Sequence, residues 1–188
     1  MRKLLVIIIL LVIIGLILLS MMSFEEPEYK TGYESGAYSV RFYDERIVVQ
    51  TAVGIDDSGF RKLFNYISGA NNESLKIDMT TPVTEADSGD EKVMQFYLPA
   101  KFNKSNVPIP TDDRVEISVI EAGYFAVARY SGRSTDKNFY EHLNKLKSDL
   151  TKDEVAILGP SIKATYNGPF TPPQLRRNEA MYPIEWKD

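Results

Sequence analysis

The sequence predicts an α+β domain made of two ββαββ-type halves, preceded by a helix that crosses a membrane. Three observations carry that expectation. Short stretches of alternating apolar and polar residues recur along the chain. Each of two such groups is followed by an apolar stripe at helical spacing, and residues 4–24 contain no charge at all.

The N-terminal element is read first. Arg2 and Lys3 precede LLVIIILLVIIGLILL, residues 4–19, and the uncharged run continues to Phe24. A helix needs about 20 apolar residues to span the hydrocarbon core. The run exceeds the apolar part of a signal peptide, and no small-x-small cleavage site follows it. Residues 1–24 are therefore expected to be an uncleaved signal anchor. With the basic residues before the span and Glu25, Glu26 and Glu28 after it, the remainder is expected outside the cytoplasm. Residues 25–37, polar and broken by Pro27, Gly32 and Gly36, read as a juxtamembrane linker to a domain over 38–188.

In that domain Tyr38, Val40 and Phe42 alternate with Ser39 and Arg41. DER then turns the chain into IVVQTAV, residues 47–53, and the pair reads as a hairpin. Asp57 or Ser58 offers a cap, and Phe60, Leu63, Phe64 and Ile67 fall at i, i+3, i+4 and i+7 of a short helix that Gly69 ends. Strands are expected over residues 75–84 and 93–98. The order then returns: Val115, Ile117 and Val119 alternate, EAG turns, and YFAVARY occupies residues 124–130. Ser134 and Thr135 are caps for a helix whose stripe is Phe139, Leu143, Leu146 and Leu150. Strands over 162–166 and 180–186 complete the second half. Element order, repeated after about 75 residues, points to an internal duplication. Pairing the halves back to back, or closing them into a distorted barrel, would bury both apolar faces.

Composition excludes several chemistries. The chain has 22 basic and 26 acidic side chains, and without Arg2 and Lys3 the balance is −6. Such a surface disfavours a phosphate backbone, so no nucleic-acid partner is expected. The absence of cysteine excludes disulfides, thiolate metal sites and covalent c-type haem attachment. One histidine and scattered acidic pairs give no catalytic constellation, so an enzyme is not expected.

KIDMTTPV, residues 76–83, matches K-I-x-M-T-x-P-V, a hallmark of the SOUL haem-binding protein family, through Lys76, Ile77, Met79, Thr80, Pro82 and Val83. MQFYLPAKF (94–102), FAVARYSG (125–132) and YNGPFTPPQLRRNEAMYPI (166–184) follow in the family's order, and the chain resembles that family from about residue 38 to 186. The resemblance implies an eight-stranded antiparallel, barrel-like sheet with two helices. It also implies non-covalent binding of haem or a related tetrapyrrole against the first helix. The fold further resembles the ligand-binding domains of the bacterial gyrase-inhibitor family, and likeness of fold alone does not name a ligand.

Candidate cofactor-binding residues are Phe60, Leu63, Phe64, Ile67, Met79 and Arg177. A helical apolar stripe is ordinarily core, but the resemblance places the cleft along this helix. Met79 suits a flat apolar ring, while Pro82, which lacks an amide hydrogen, marks a bend or strand edge. Thr80 or Thr81 would then satisfy the freed backbone groups. Arg177 suits a propionate, yet Glu179 offers an intramolecular partner. His142 lies beside the second helix's stripe, and Phe42 stands where some family members carry a histidine. Two other readings stay open: a binding or sensor module for a different amphipathic molecule, and an interaction domain whose cleft its own side chains fill.

Overall fold

The computed structural model describes residues 24–54, 58–88 and 91–187. The expected span over residues 4–24 lies outside them except for Phe24. Among the described residues no helix is long and apolar enough to cross a membrane.

The elements are β1 (Lys30–Glu34), β2 (Ser39–Tyr43), β3 (Arg46–Ala52), α1 (Gly59–Ile67), β4 (Val83–Ser88) and β5 (Glu91–Tyr97). After them come β6 (Glu116–Ile120), β7 (Gly123–Tyr130), α2 (Asp136–Lys152), β8 (Ile162–Thr165) and β9 (Asn178–Ile184). Two ββαββ halves are plain, β2 to β5 and β6 to β9. The strands form one curled antiparallel sheet, a half-barrel in the order β1-β2-β7-β9-β8-β4-β5-β3-β6.

Three expectations are corrected. The sheet has nine strands, not eight, because Lys30–Glu34 pairs with β2; the segment that reads as linker thus carries an edge strand. The first pair of strands in each half is not a hairpin. β2 pairs with β7, and β3 pairs with β6 and β5. The links Asp44-Glu45 and Glu121-Ala122 contain no residue at positive φ, so neither forms the tight turn that a two-residue hairpin needs. Each half therefore gives its first strand to the other, and the halves interlock. Finally, residues 75–82 are mostly not strand. β4 begins at Val83, immediately after a cis Thr81–Pro82 bond.

Alternate side chains sort onto the two faces. Leu63, Tyr66 and Ile67 of α1 cover Ile47, Val49, Met94 and Phe96. Leu146 and Leu150 of α2 cover Val40, Ala126 and Ala128, with Phe139 and Leu143 set against Tyr130 and Ala180. Thr135 caps α2, accepting from the Asn138 backbone N–H. Gly69, at φ 117°, lets the chain leave α1 in a conformation few other residues adopt. The opposite face carries a separate apolar cluster, Tyr43, Phe125, Val127, Ile162, Ala164 and Met181.

Candidate functional site

Residues of β2, β9 and the chain between β8 and β9 meet on the face away from the helices. Glu179 is fully buried there. It accepts from Arg41 at 3.0 Å, from the Tyr166 hydroxyl at 2.8 Å and from Arg177 at 3.0 Å. The guanidinium of Arg177 also lies over the Tyr166 ring, 3.6 Å from its centroid. Burial works against the charged form of Arg41, but the Glu179 charge and the hydrogen bond to Tyr43 together outweigh it and raise the guanidinium above its ordinary value. Burial pushes the Tyr43 hydroxyl up to about 12, although the Arg41 hydrogen bond pulls the other way. Burial and then the Glu179 charge raise Tyr166 well above its usual range. Glu179 is thus neutralised internally, and a buried carboxylate clamped in this way organises the sheet.

Arg46 stands near this cluster in a cage of rings. Its guanidinium carbon is 4.3 Å from the Tyr43 centroid, 4.9 Å from Phe125 and 5.5 Å from Tyr97. Two cavities flank the cage. One, of about 340 Å³, is lined by Arg46, Ile47, Thr80, Tyr97 and Leu98 under residues 25–28. The other, about 440 Å³, is bordered by Gln50, Gln95, Ile120, Phe125 and Ile162.

The KIDMTTPV stretch forms part of the first cavity's wall. Thr80 donates from its hydroxyl to the Tyr97 carbonyl at 2.6 Å, and the Thr81 amide donates to the Glu25 carbonyl at 2.9 Å. These hydrogen bonds serve the backbone where Pro82 cannot. Met79 is half-buried against the α1 core.

The six expected binding residues do not form one surface. Leu63 and Ile67 are core, 0% and 5% exposed. Phe60 and Phe64 are half exposed and stack with an interplanar angle of 13°. Phe60 also packs edge-on against Phe96, which ties the pair to the core. α1 carries Arg61 and Lys62 and no acidic residue. Arg177 lies away from this helix, held by Glu179 and Glu26. His142 stacks on Tyr130 at 4.3 Å, with Nδ1 2.8 Å from the Asn138 carbonyl oxygen. Among the described residues no group of three or more histidine, aspartate or glutamate side chains is placed to hold a metal. An exposed aromatic pair with Arg61 on the adjoining face of the helix fits a flat macrocycle with an anionic arm, held by ring contact.

Sequence reasoning overlooked Arg41, Tyr43, Arg46 and Tyr166. The one available signal was the alternation itself, which places Arg41 and Tyr43 on the face opposite Val40.

A curled sheet with two helices on one face and cavities on the other defines an α+β half-barrel domain of the ligand-cleft type. The chain belongs to the SOUL haem-binding protein family, which matches residues 24–183. It is 31% identical over 185 residues to heme-binding protein 2 of Homo sapiens, covering 86% of each chain. It is 27% identical over 169 residues to heme-binding protein 1 of Xenopus laevis, covering 86% of this chain and 83% of the relative. Among solved structures, the EcmrR C-terminal domain superposes with a TM-score of 0.58 at 14% identity, covering 84% of this chain and 98% of that one. A hydrolase from Listeria innocua gives 0.56 at 11% identity, with 82% and 94% covered. These two likenesses are of fold.

Proposed function

We propose that this domain binds haem or a related tetrapyrrole without covalent attachment or catalysis, and that residues 4–24 anchor it in a membrane with the domain outside the cytoplasm. Membership of the family and the names of its relatives support the ligand class. The observation that carries the binding face is the stacked Phe60–Phe64 pair, half exposed on a helix whose only charges are Arg61 and Lys62. Bringing a flat apolar ring onto these two side chains removes hydrophobic surface from water, at roughly 25 cal/mol per Å². Arg61, three residues before Phe64 on the helix, then suits a carboxylate arm. A ring bound this way would be held by burial, with its carboxylates left at the solvent edge.

The test is titration of residues 24–188 with haemin, followed by the Soret band. Saturable one-to-one binding is expected. Phe64→Asp should weaken it at least tenfold while leaving the urea midpoint nearly unchanged, because the side chain is half exposed. Unaltered affinity in Phe60→Asp and Phe64→Asp would move the ligand off this helix. Localisation is tested separately, by protease protection of the domain in intact cells and in permeabilised ones.

A further inference from the structure

We propose that the proline-rich loop between β8 and β9 is a membrane-contact element, which presses Phe170 and Leu175 into the surface of the bilayer that anchors the chain. The inference rests on the anchor reading of residues 4–24 and adds where the domain meets the lipid.

The first observation is the surface of the loop. Phe170 is 99% exposed and Leu175 74%, more than any other large apolar side chain among the described residues. Single exposed apolar groups are ordinary on a protein, but these two stand on a loop that is held in place. Arg176 donates from Nε to the Thr171 carbonyl at 2.8 Å and from Nη2 to the Pro169 carbonyl. The Gly132 amide donates to the Pro173 carbonyl at 2.8 Å, and the Arg177 amide to the Asn167 side-chain oxygen at 2.6 Å. Pro169, Pro172 and Pro173 restrict the backbone further. A loop so fastened does not fold the Phe170 ring back onto the domain, so an apolar surface that removes it from water has to come from outside.

Charge gives the second observation. Residues 166–178 include Arg176 and Arg177 and no acidic side chain. Arg177 is already matched by Glu179 and Glu26. Between the loop and the start of α2 lies a hollow of about 470 Å³, bordered by Phe170, whose charged walls are Arg133 and Arg176. Asp136, at the start of α2, is taken up by Lys163 at 3.0 Å. An exposed ring beside two guanidinium groups matches the boundary of a bilayer, where aromatic rings settle at headgroup level and arginine meets phosphate.

The third observation names the occupant. The uncharged run ends at Phe24, and the next residue already belongs to the fold. Glu25 bridges to Thr80, and its carbonyl accepts from the Thr81 amide at 2.9 Å. Glu26 is then held by Arg177, at the root of the loop. Thr81 shortly precedes β4, whose Val83 pairs with Thr165, and Thr165 pairs with Asn178. The uncharged run and the loop therefore join the domain at one end of the sheet, and no residues are left over as a spacer between run and fold. Lipid is the apolar surface that the chain itself brings to Phe170.

The experiment uses the full chain in phosphatidylcholine nanodiscs. Because the chain has no cysteine, Gln174→Cys carries a single nitrobenzoxadiazole label between Phe170 and Leu175. Glu121→Cys carries the control label, since it precedes β7 at the end of the sheet opposite the Tyr130–Asn178 pair. The label at position 174 should emit at shorter wavelength and be quenched by nitroxide-labelled lipid, and the label at position 121 should do neither. Phe170→Ser together with Leu175→Ser should cut the quenching at position 174 by roughly threefold or more. The urea midpoint should stay where it is, because neither side chain is buried. A full chain that does not stay with the discs would overturn the anchor reading and this proposal together. A chain that stays with them while the label at position 174 emits as in water, or is quenched as strongly after both substitutions, would overturn this proposal alone and leave the loop to a protein partner.

Discussion

At Glu179 the chain buries a carboxylate completely and surrounds it with Arg41, Arg177 and Tyr166. Replacing it with glutamine leaves the buried Arg41 guanidinium without its counter-charge and Arg177 with Glu26 alone. Breaking a buried pair from one side costs about 3–5 kcal/mol, and Glu179→Gln is expected to lose that much in urea unfolding. Arg41→Met should cost less, because Arg177 and Tyr166 still hold the carboxylate. Equal losses would mean that Arg177 contributes nothing to the clamp. Of this cluster the sequence showed only the nearest link, Arg177 to Glu179, which are two residues apart. The partner from β2 lies 138 residues away, and no local pattern relates such positions. The same limit applies to Arg46, whose three rings come from β2, β5 and β7.

The helices differ in how their sequence relates to their surroundings. Each has an apolar stripe, and both stripes pack on the sheet as the spacing implies. On α1 the stripe is wider than the surface it covers, so Leu63 and Ile67 are buried while Phe60 and Phe64 are left half exposed. Leu63→Ala should therefore cost about 2–5 kcal/mol, and Phe64→Ala much less, as read by thermal or urea unfolding. On α2 the first turn is tied down by charge. Lys163, almost entirely buried, meets Asp136 at 3.0 Å and Glu85 at 3.6 Å. The hydrogen bond from Lys163, and then its charge, hold Asp136 below the ordinary 3.8. A depressed folded-state value means that stability from this contact is present above the unfolded value, near 3.8. It is lost as pH falls through the folded value. Unfolding midpoints measured from pH 6 down to pH 2 should decline less steeply in Asp136→Asn than in the unmodified chain. Parallel curves would show that the pair does not contribute.

Across the whole molecule the sheet is a duplicated unit whose halves exchange first strands. β7 and β9 share seven paired positions at a place where β7 is also paired to β2 and β9 to β8. β1 and β6 are the two edges. Amide hydrogen exchange should accordingly be slowest in β7 and β9 and fastest in β1, whose residues are all exposed. Protection of β1 comparable with β9 would contradict this order. The halves cannot separate without breaking the β2–β7 and β3–β6 pairings, so denaturant unfolding is expected as one transition by fluorescence and circular dichroism.

The duplicated element order, the two helical stripes, the Thr135 cap and the family signature could all be read along the chain, because each depends on residues a few positions apart. Strand partners, the count of nine and the fate of Arg41 could not be read. Alternation tells which residues share a face but not which strand lies alongside, and the Asp44-Glu45 and Glu121-Ala122 links resemble hairpin turns in length alone. The clustering of Arg46 with three aromatic rings, and the acidic segment over its cavity, arise only when distant strands curl together. Packing between remote parts of the chain decided them.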